Sequence, residues 1–110
     1  MVIAFDSLSL RAVCENAEEA DLELGLAVAQ TLRKRLADLR AATSPTDLVA
    51  GGPRVLNDGD LEYMAINLRD GFRIKFVPNH VKNPLDNANR IDWAKISRIK
   101  IIGILHGISD

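Results

Sequence analysis

Two cations, Arg73 and Lys75, stand two residues apart in the run FRIKF at 72–76. Side chains alternate between the faces of an extended strand, so both cations point one way while Phe72, Ile74 and Phe76 point the other. The preceding run YMAIN places Tyr63 and Asn67 on the same side as the cations. A polar, cationic and aromatic face of this kind suits an anionic partner, and a mixed solvated surface is the other reading. Tyr63 fits two roles, stacking on an unpaired base or packing across strands. His106 is of the type that exchanges a proton near neutral pH, or it is simply a surface residue. His80 lies in a Pro- and Asn-rich stretch and reads as a solvated loop residue, whereas Cys14 reads as a small buried hydrophobe.

The elements that position these residues follow from the apolar periodicity. Met64, Ile66 and Leu68 alternate with polar or small residues, as do Phe72, Ile74 and Phe76. A two-residue Asp-Gly turn would pair residue 69 with 72 and mix charged with apolar side chains on one face. A three-residue loop, Arg69-Asp70-Gly71, pairs 68 with 72, 66 with 74 and 64 with 76, so every large apolar side chain shares a face. Gly71 then supplies the left-handed residue.

Upstream, Val2 to Phe5 reads as a strand, and Asp6-Ser7 offers capping oxygens to a short helix with Leu8, Ala12 and Val13 that ends at Asn16-Ala17. Leu24, Val28, Leu32, Leu36 and Leu39 predict a second, longer helix reaching about Ala42, where Thr43-Ser44-Pro45 stops it. Arg33, Lys34, Arg35 and Arg40 turn away from its apolar stripe. The segment from Pro78 to about Arg90 is a long loop. Asp92 can cap a turn through Trp93 and Lys95, and Trp93 pins the start of a last strand at Arg98 to Leu105, whose apolar run places it inside the sheet. The expected architecture is α+β, with two N-terminal helices on a mainly antiparallel sheet of four to five strands, in a single domain over 1–110.

Composition narrows the classes. A lone cysteine cannot form an internal disulfide, and no clustered Cys/His set is spaced for zinc. The longest aliphatic run, around Ile101 to Leu105, is far short of a membrane helix. MVIAFD at 1–6 lacks the features of a secretory leader, so a soluble, cytoplasmic protein is expected. Net charge is −1, against binding nucleic acid by bulk electrostatics alone. The charge is unevenly spread, however. Residues 1–27 hold Asp6, Glu15, Glu18, Glu19, Asp21 and Glu23 against Arg11, while residues 28–110 hold thirteen bases against nine acids, a net +4.

The order strand, helix, long helix and sheet, with LxxRLADLRAA at 32–42, DGFRIKF at 70–76 and IDWAKISRIKIIGI at 91–104, resembles the RelE/ParE superfamily. The nearest branch is the HigB-like, or plasmid-maintenance killer protein, branch, and the similarity runs from about Val2 to Leu105. The resemblance implies a type II toxin: a cytoplasmic endoribonuclease that cuts messenger RNA on the ribosome, needs no metal or small-molecule cofactor, and is silenced by a cognate antitoxin, often one with a helix-turn-helix domain. No membrane association is implied. The family's central-strand arginine corresponds to Arg73, suited to bidentate phosphate binding. A basic position in the last strand corresponds to Lys100, with His106 displaced by about two positions from the family's Tyr or His. Arg73 and His106 are thereby the expected catalytic residues, and Lys75, Lys100 and Tyr63 the expected RNA contacts. The helix cations Arg33, Lys34, Arg35 and Arg40 are either a solvated face or contacts to ribosomal RNA.

The sequence departs from the family where an LKGDRKG-like segment reads LNDGDLEY at 56–63, so its lysines are missing and Asp58, Asp60 and Glu62 take up the region. Acids beside a phosphate site weaken RNA binding, by about 1 kcal/mol per close pair in water. The departure leaves an alternative from another class: a non-nuclease binding protein on the same fold, either a ParE-like inhibitor of gyrase or an inactive relative that engages an antitoxin.

Overall fold

Capping side chains start the first two helices of the N-terminal segment, and the third starts at a glycine. In the computed structural model, which describes residues 1–107, strand β1 (Val2–Phe5) leads into α1 (Leu8–Glu15), α2 (Ala17–Leu24) and α3 (Leu26–Ala41). Ser7 Oγ accepts from the Leu10 N–H at 3.1 Å and caps α1. Asn16 ends α1 and starts α2, its Oδ1 accepting from the N–H groups of Glu18 and Glu19.

Three helices therefore stand where two were expected. The difference lies at 17–24, whose acids Glu18, Glu19, Asp21 and Glu23 leave only Ala20 fully buried and so erase the periodic signal. Leu24 closes α2 rather than opening the long helix. Gly25, with φ at 82°, separates the two.

Strands β2 (Arg54–Asp58), β3 (Leu61–Asn67), β4 (Phe72–Pro78) and β5 (Arg98–His106) join β1 in one mixed sheet, ordered β1-β5-β4-β3-β2. Only the β1–β5 pair is parallel. Leu32, Leu36 and Leu39 of α3 pack with Met64, Ile66, Ile74, Phe76, Ile99 and Ile101 in one core, with Cys14 among them. The Met1 ammonium donates to the carbonyls of Leu39, Arg40 and Ala42 at 2.8–3.1 Å, tying the end of α3 to β1. Among the described residues no helix is long and apolar enough to cross a membrane.

The β3–β4 register is the expected one, Met64 opposite Phe76 and Ile66 opposite Ile74. Its turn combines the two options weighed from sequence. The Phe72 N–H donates to the Arg69 carbonyl at 3.0 Å, with φ of 55° at Asp70 and 81° at Gly71, which makes a tight Asp-Gly turn. The Leu68 N–H also donates to the Phe72 carbonyl, at 2.8 Å, so Leu68 and Arg69 both face Phe72. That extra residue restores the apolar face.

The β4–β5 ladder carries a second irregularity. Lys75 faces Gly103 while Phe76 faces Ile101, which leaves Ile102 without a partner. Residues 79–97, the longest connection, hold a bridge between Leu85 and Ile91 and a 3-10 turn at Trp93–Lys95.

Gly51 is the tightest point beneath the sheet edge. Its φ is 86°, its carbonyl accepts from the Asn67 N–H at 2.6 Å, and a Cβ there would lie 2.5 Å from Ile66 Cγ2 and 2.7 Å from the Asn67 oxygen. Gly51→Ala therefore meets both an unfavourable backbone conformation and a backbone clash, and we expect it to cost about 2 kcal/mol or more. A urea midpoint equal to that of wild type would refute the close approach.

Candidate functional site

The helices cover one face of the sheet and leave the other without a helical layer. On this open face strand alternation gathers Arg54, Leu56 and Asp58 from β2, Tyr63, Ala65 and Asn67 from β3, Arg73, Lys75 and Val77 from β4, and Lys100 from β5. The unpartnered Ile102 brings Lys100 to the side of Lys75. The structure thus assembles four of the residues singled out from sequence: Tyr63, Arg73, Lys75 and Lys100.

Their surroundings are drier than those of a solvated surface. Arg73 is only 6% exposed and Tyr63 only 4%. Arg73 lies between Asn67 and Leu105 on the flanking strands, and its Nη1 donates to the carbonyls of Gly71 and Gly107, each at 3.3 Å. An arginine so placed is held by its own sheet, with its orientation set before any ligand arrives. The Lys75 ammonium sits 4.1 Å from the centre of the Tyr63 ring, a cation–π contact that covers the tyrosine face. Tyr63 therefore packs across strands through Lys75.

Acids complete the face. Lys75 Nζ lies 3.8 Å from Asp58 Oδ2, and Lys100 Nζ lies 3.8 Å from Asp6 Oδ1. Both carboxylates are more than half exposed, so these pairs are weak and open to competition. Asp58 comes from the segment in which the sequence departs from its resemblance.

His106 does not join this group. It pairs with Phe72 across the ladder and stacks on that ring, with centroids 3.9 Å apart and planes 4° from parallel. Phe72 alternates with Arg73, so His106 and Arg73 occupy opposite faces of the sheet. A ring nitrogen of His106 lies 3.0 Å from the Asp70 carbonyl, which fixes the imidazole over the β3–β4 turn.

His80 departs from the solvated loop role. Its Nε2 accepts from the N–H groups of Ser97 and Arg98 at 3.1 and 3.3 Å, fastening the long connection to the start of β5. Trp93 donates from Nε1 to Glu62 Oε1 at 2.8 Å and meets Phe76 edge-on at 6.3 Å, so it pins the entry to β5 as expected. Of the helix cations, Arg33 pairs with Asp21 and Arg35 with Asp38. Sequence reasoning missed Arg54 and Arg98 on the open face. The two-residue spacing Arg54-Leu56-Asp58 and Arg98-Lys100 carried that signal.

Compared with protein-family models, curated proteins and solved structures, the chain matches none.

Cys14 is no part of the site's chemistry. Burial pushes its thiol up from 9.0 to about 11, against a smaller opposing pull from Arg40, so the nucleophilic thiolate is scarce near neutrality. Between those two values the folded protein holds a proton that the unfolded chain releases, so stability falls as pH rises through that window. We expect Cys14→Ala to remove a loss of about 2 kcal/mol across it, read as the difference between the two proteins' urea midpoints at each pH. Parallel curves for the two proteins would show the thiol to be accessible.

Proposed function

We propose that the chain is a toxin of a type II toxin-antitoxin pair, a HigB-like member of the RelE/ParE superfamily that cuts messenger RNA on the ribosome without a metal. One observation carries this reading: an open sheet face on which a buried, pre-oriented arginine lies beside two lysines, each paired with an exposed carboxylate. Cleavage of RNA by its own 2′-OH builds charge on a pentacoordinate phosphorus, and cations set in place beforehand stabilise that charge. In this reading Arg73 binds the phosphorane through its guanidinium, while Lys75 and Lys100 hold the flanking phosphates. Because His106 lies on the opposite face, in this reading solvent takes the 2′-OH proton and returns one to the leaving oxygen. The cognate antitoxin, ribosome and messenger RNA are the partners so proposed, and the cytoplasm is the compartment.

Arg73→Ala tests the assignment in a translation extract, with cleavage mapped on a reporter messenger. Loss of about 3 to 4 kcal/mol of transition-state stabilisation slows cleavage by roughly 100- to 1000-fold. Because Arg73 is buried, truncation also costs stability, and Arg73→Lys is the better control: it keeps length and charge but loses the fork. A folded Arg73→Lys protein that cuts at the wild-type rate would exclude the bidentate role.

A second reading, the non-nuclease relative that engages an antitoxin or gyrase, is favoured by the Asp58–Lys75 pair and by the placement of His106 behind the sheet. Asp58→Asn separates the two. If Lys75 serves RNA, freeing it from an exposed pair worth about 0.5 to 1 kcal/mol should raise RNA affinity about two- to fivefold. Unchanged affinity, together with growth arrest that leaves messenger intact, would favour the binding protein.

A further inference from the structure

The long connection between β4 and β5 builds a cleft of its own. Asn79, His80, Val81, Lys82 and Arg98 line a space of about 500 Å³ that contains no carboxylate side chain. Its frame is fixed by hydrogen bonds: the Asn79 N–H donates to the Arg98 carbonyl at 2.8 Å, the His80 N–H to Asn83 Oδ1 at 3.0 Å, and His80 Nε2 accepts from two backbone N–H groups. Lys82 and Arg98 have no ion pair among the described residues, unlike Lys75 and Lys100, and both are exposed. Val81 at the lip is fully exposed.

We infer that this cleft binds phosphodiester groups of single-stranded RNA, as an anchor apart from the Arg73 face. The inference rests on the reading that the open face meets RNA. Arg98 and Lys100 are two residues apart before Ile102 interrupts β5, so both side chains lie on the open face. The cleft therefore continues the cation track, about 20 Å along the sheet from Arg73 by strand rise. Two exposed cations without a counter-acid in the lining suit phosphate oxygens. The continuity favours an extended polyanion over an isolated acidic side chain.

The test uses the full chain and a fluorescent 12-nucleotide RNA carrying 2′-O-methyl groups, which cannot be cleaved by this route. Affinity is measured by anisotropy at several salt concentrations, with poly-L-glutamate as a second probe. The double variant Lys82→Gln/Arg98→Gln changes only exposed side chains, and circular dichroism checks its fold. We expect roughly tenfold weaker RNA binding and a salt slope smaller by about 1.4, the value for two lost phosphate contacts on a single strand. Unchanged affinity and slope in the folded variant would overturn the inference. So would a loss confined to poly-L-glutamate, which would mark the cleft as a site for an acidic protein. Wild type that leaves messenger intact, while the double variant loses RNA affinity, would sink the nuclease reading and support the cleft. Cleavage by wild type with no change in the variant's RNA binding would do the reverse.

Discussion

Ile102 has no partner across β4, and the faces of the central strands depend on that one unpaired residue. With Phe72 opposite His106 and Ile74 opposite Ile104, strict alternation would set Phe76 opposite Ile102. Lys100 would then enter the core, and Ile99 and Ile101 would turn outward. Burying an unpaired ammonium costs several kcal/mol, and two isoleucines would lose their burial as well. The bulge avoids both penalties: Ile99 and Ile101 are fully buried and Lys100 joins the cations. A device that keeps the core apolar also composes the charged face.

The hairpin obeys the same rule. Asp70 and Gly71 supply the left-handed pair that a tight turn needs, and an extra residue on the β3 side sets the register. Without it Arg73 and Lys75 would share a face with Leu68 and Ile66. Apolar burial on one side thus decides the position of the cations on the other. Gly51 then closes the sheet edge by approaching Ile66 and Asn67 too nearly for any side chain.

How far the sequence discloses this varies by element. The pairing of 64 with 76 and of 66 with 74 could be read from alternation, because only one register segregates the apolar side chains. Leu32, Leu36 and Leu39 marked α3 for the same reason. By contrast, α2 is half acidic, exposes Leu22 and buries a single alanine, so it has no apolar stripe to read. Alternation also told which side Arg73 faces without telling that its neighbours would bury it. For His106 the difficulty was the bulge, since its face follows from the register of β5. His80 was misread because a long Pro- and Asn-rich segment resembles a solvated loop until its backbone N–H partners are known.

The pairings of the open face explain how a chain of net charge −1 could still offer cations to the phosphates proposed above. Lys75 and Lys100 each hold a carboxylate at 3.8 Å, beyond the distance of a good charge-assisted hydrogen bond. Exposed pairs of this kind are worth at most about 1 kcal/mol. A phosphate that reaches either lysine with close, directed hydrogen bonds therefore displaces the carboxylate at little cost. Arg73 is different, because it is buried and its Nη1 donates to the carbonyls of Gly71 and Gly107. The resulting division of labour places a rigid fork at the centre and exchangeable cations around it. Non-specific anions then gain little from the lysines alone, while a ligand that fits the arginine gains from all three.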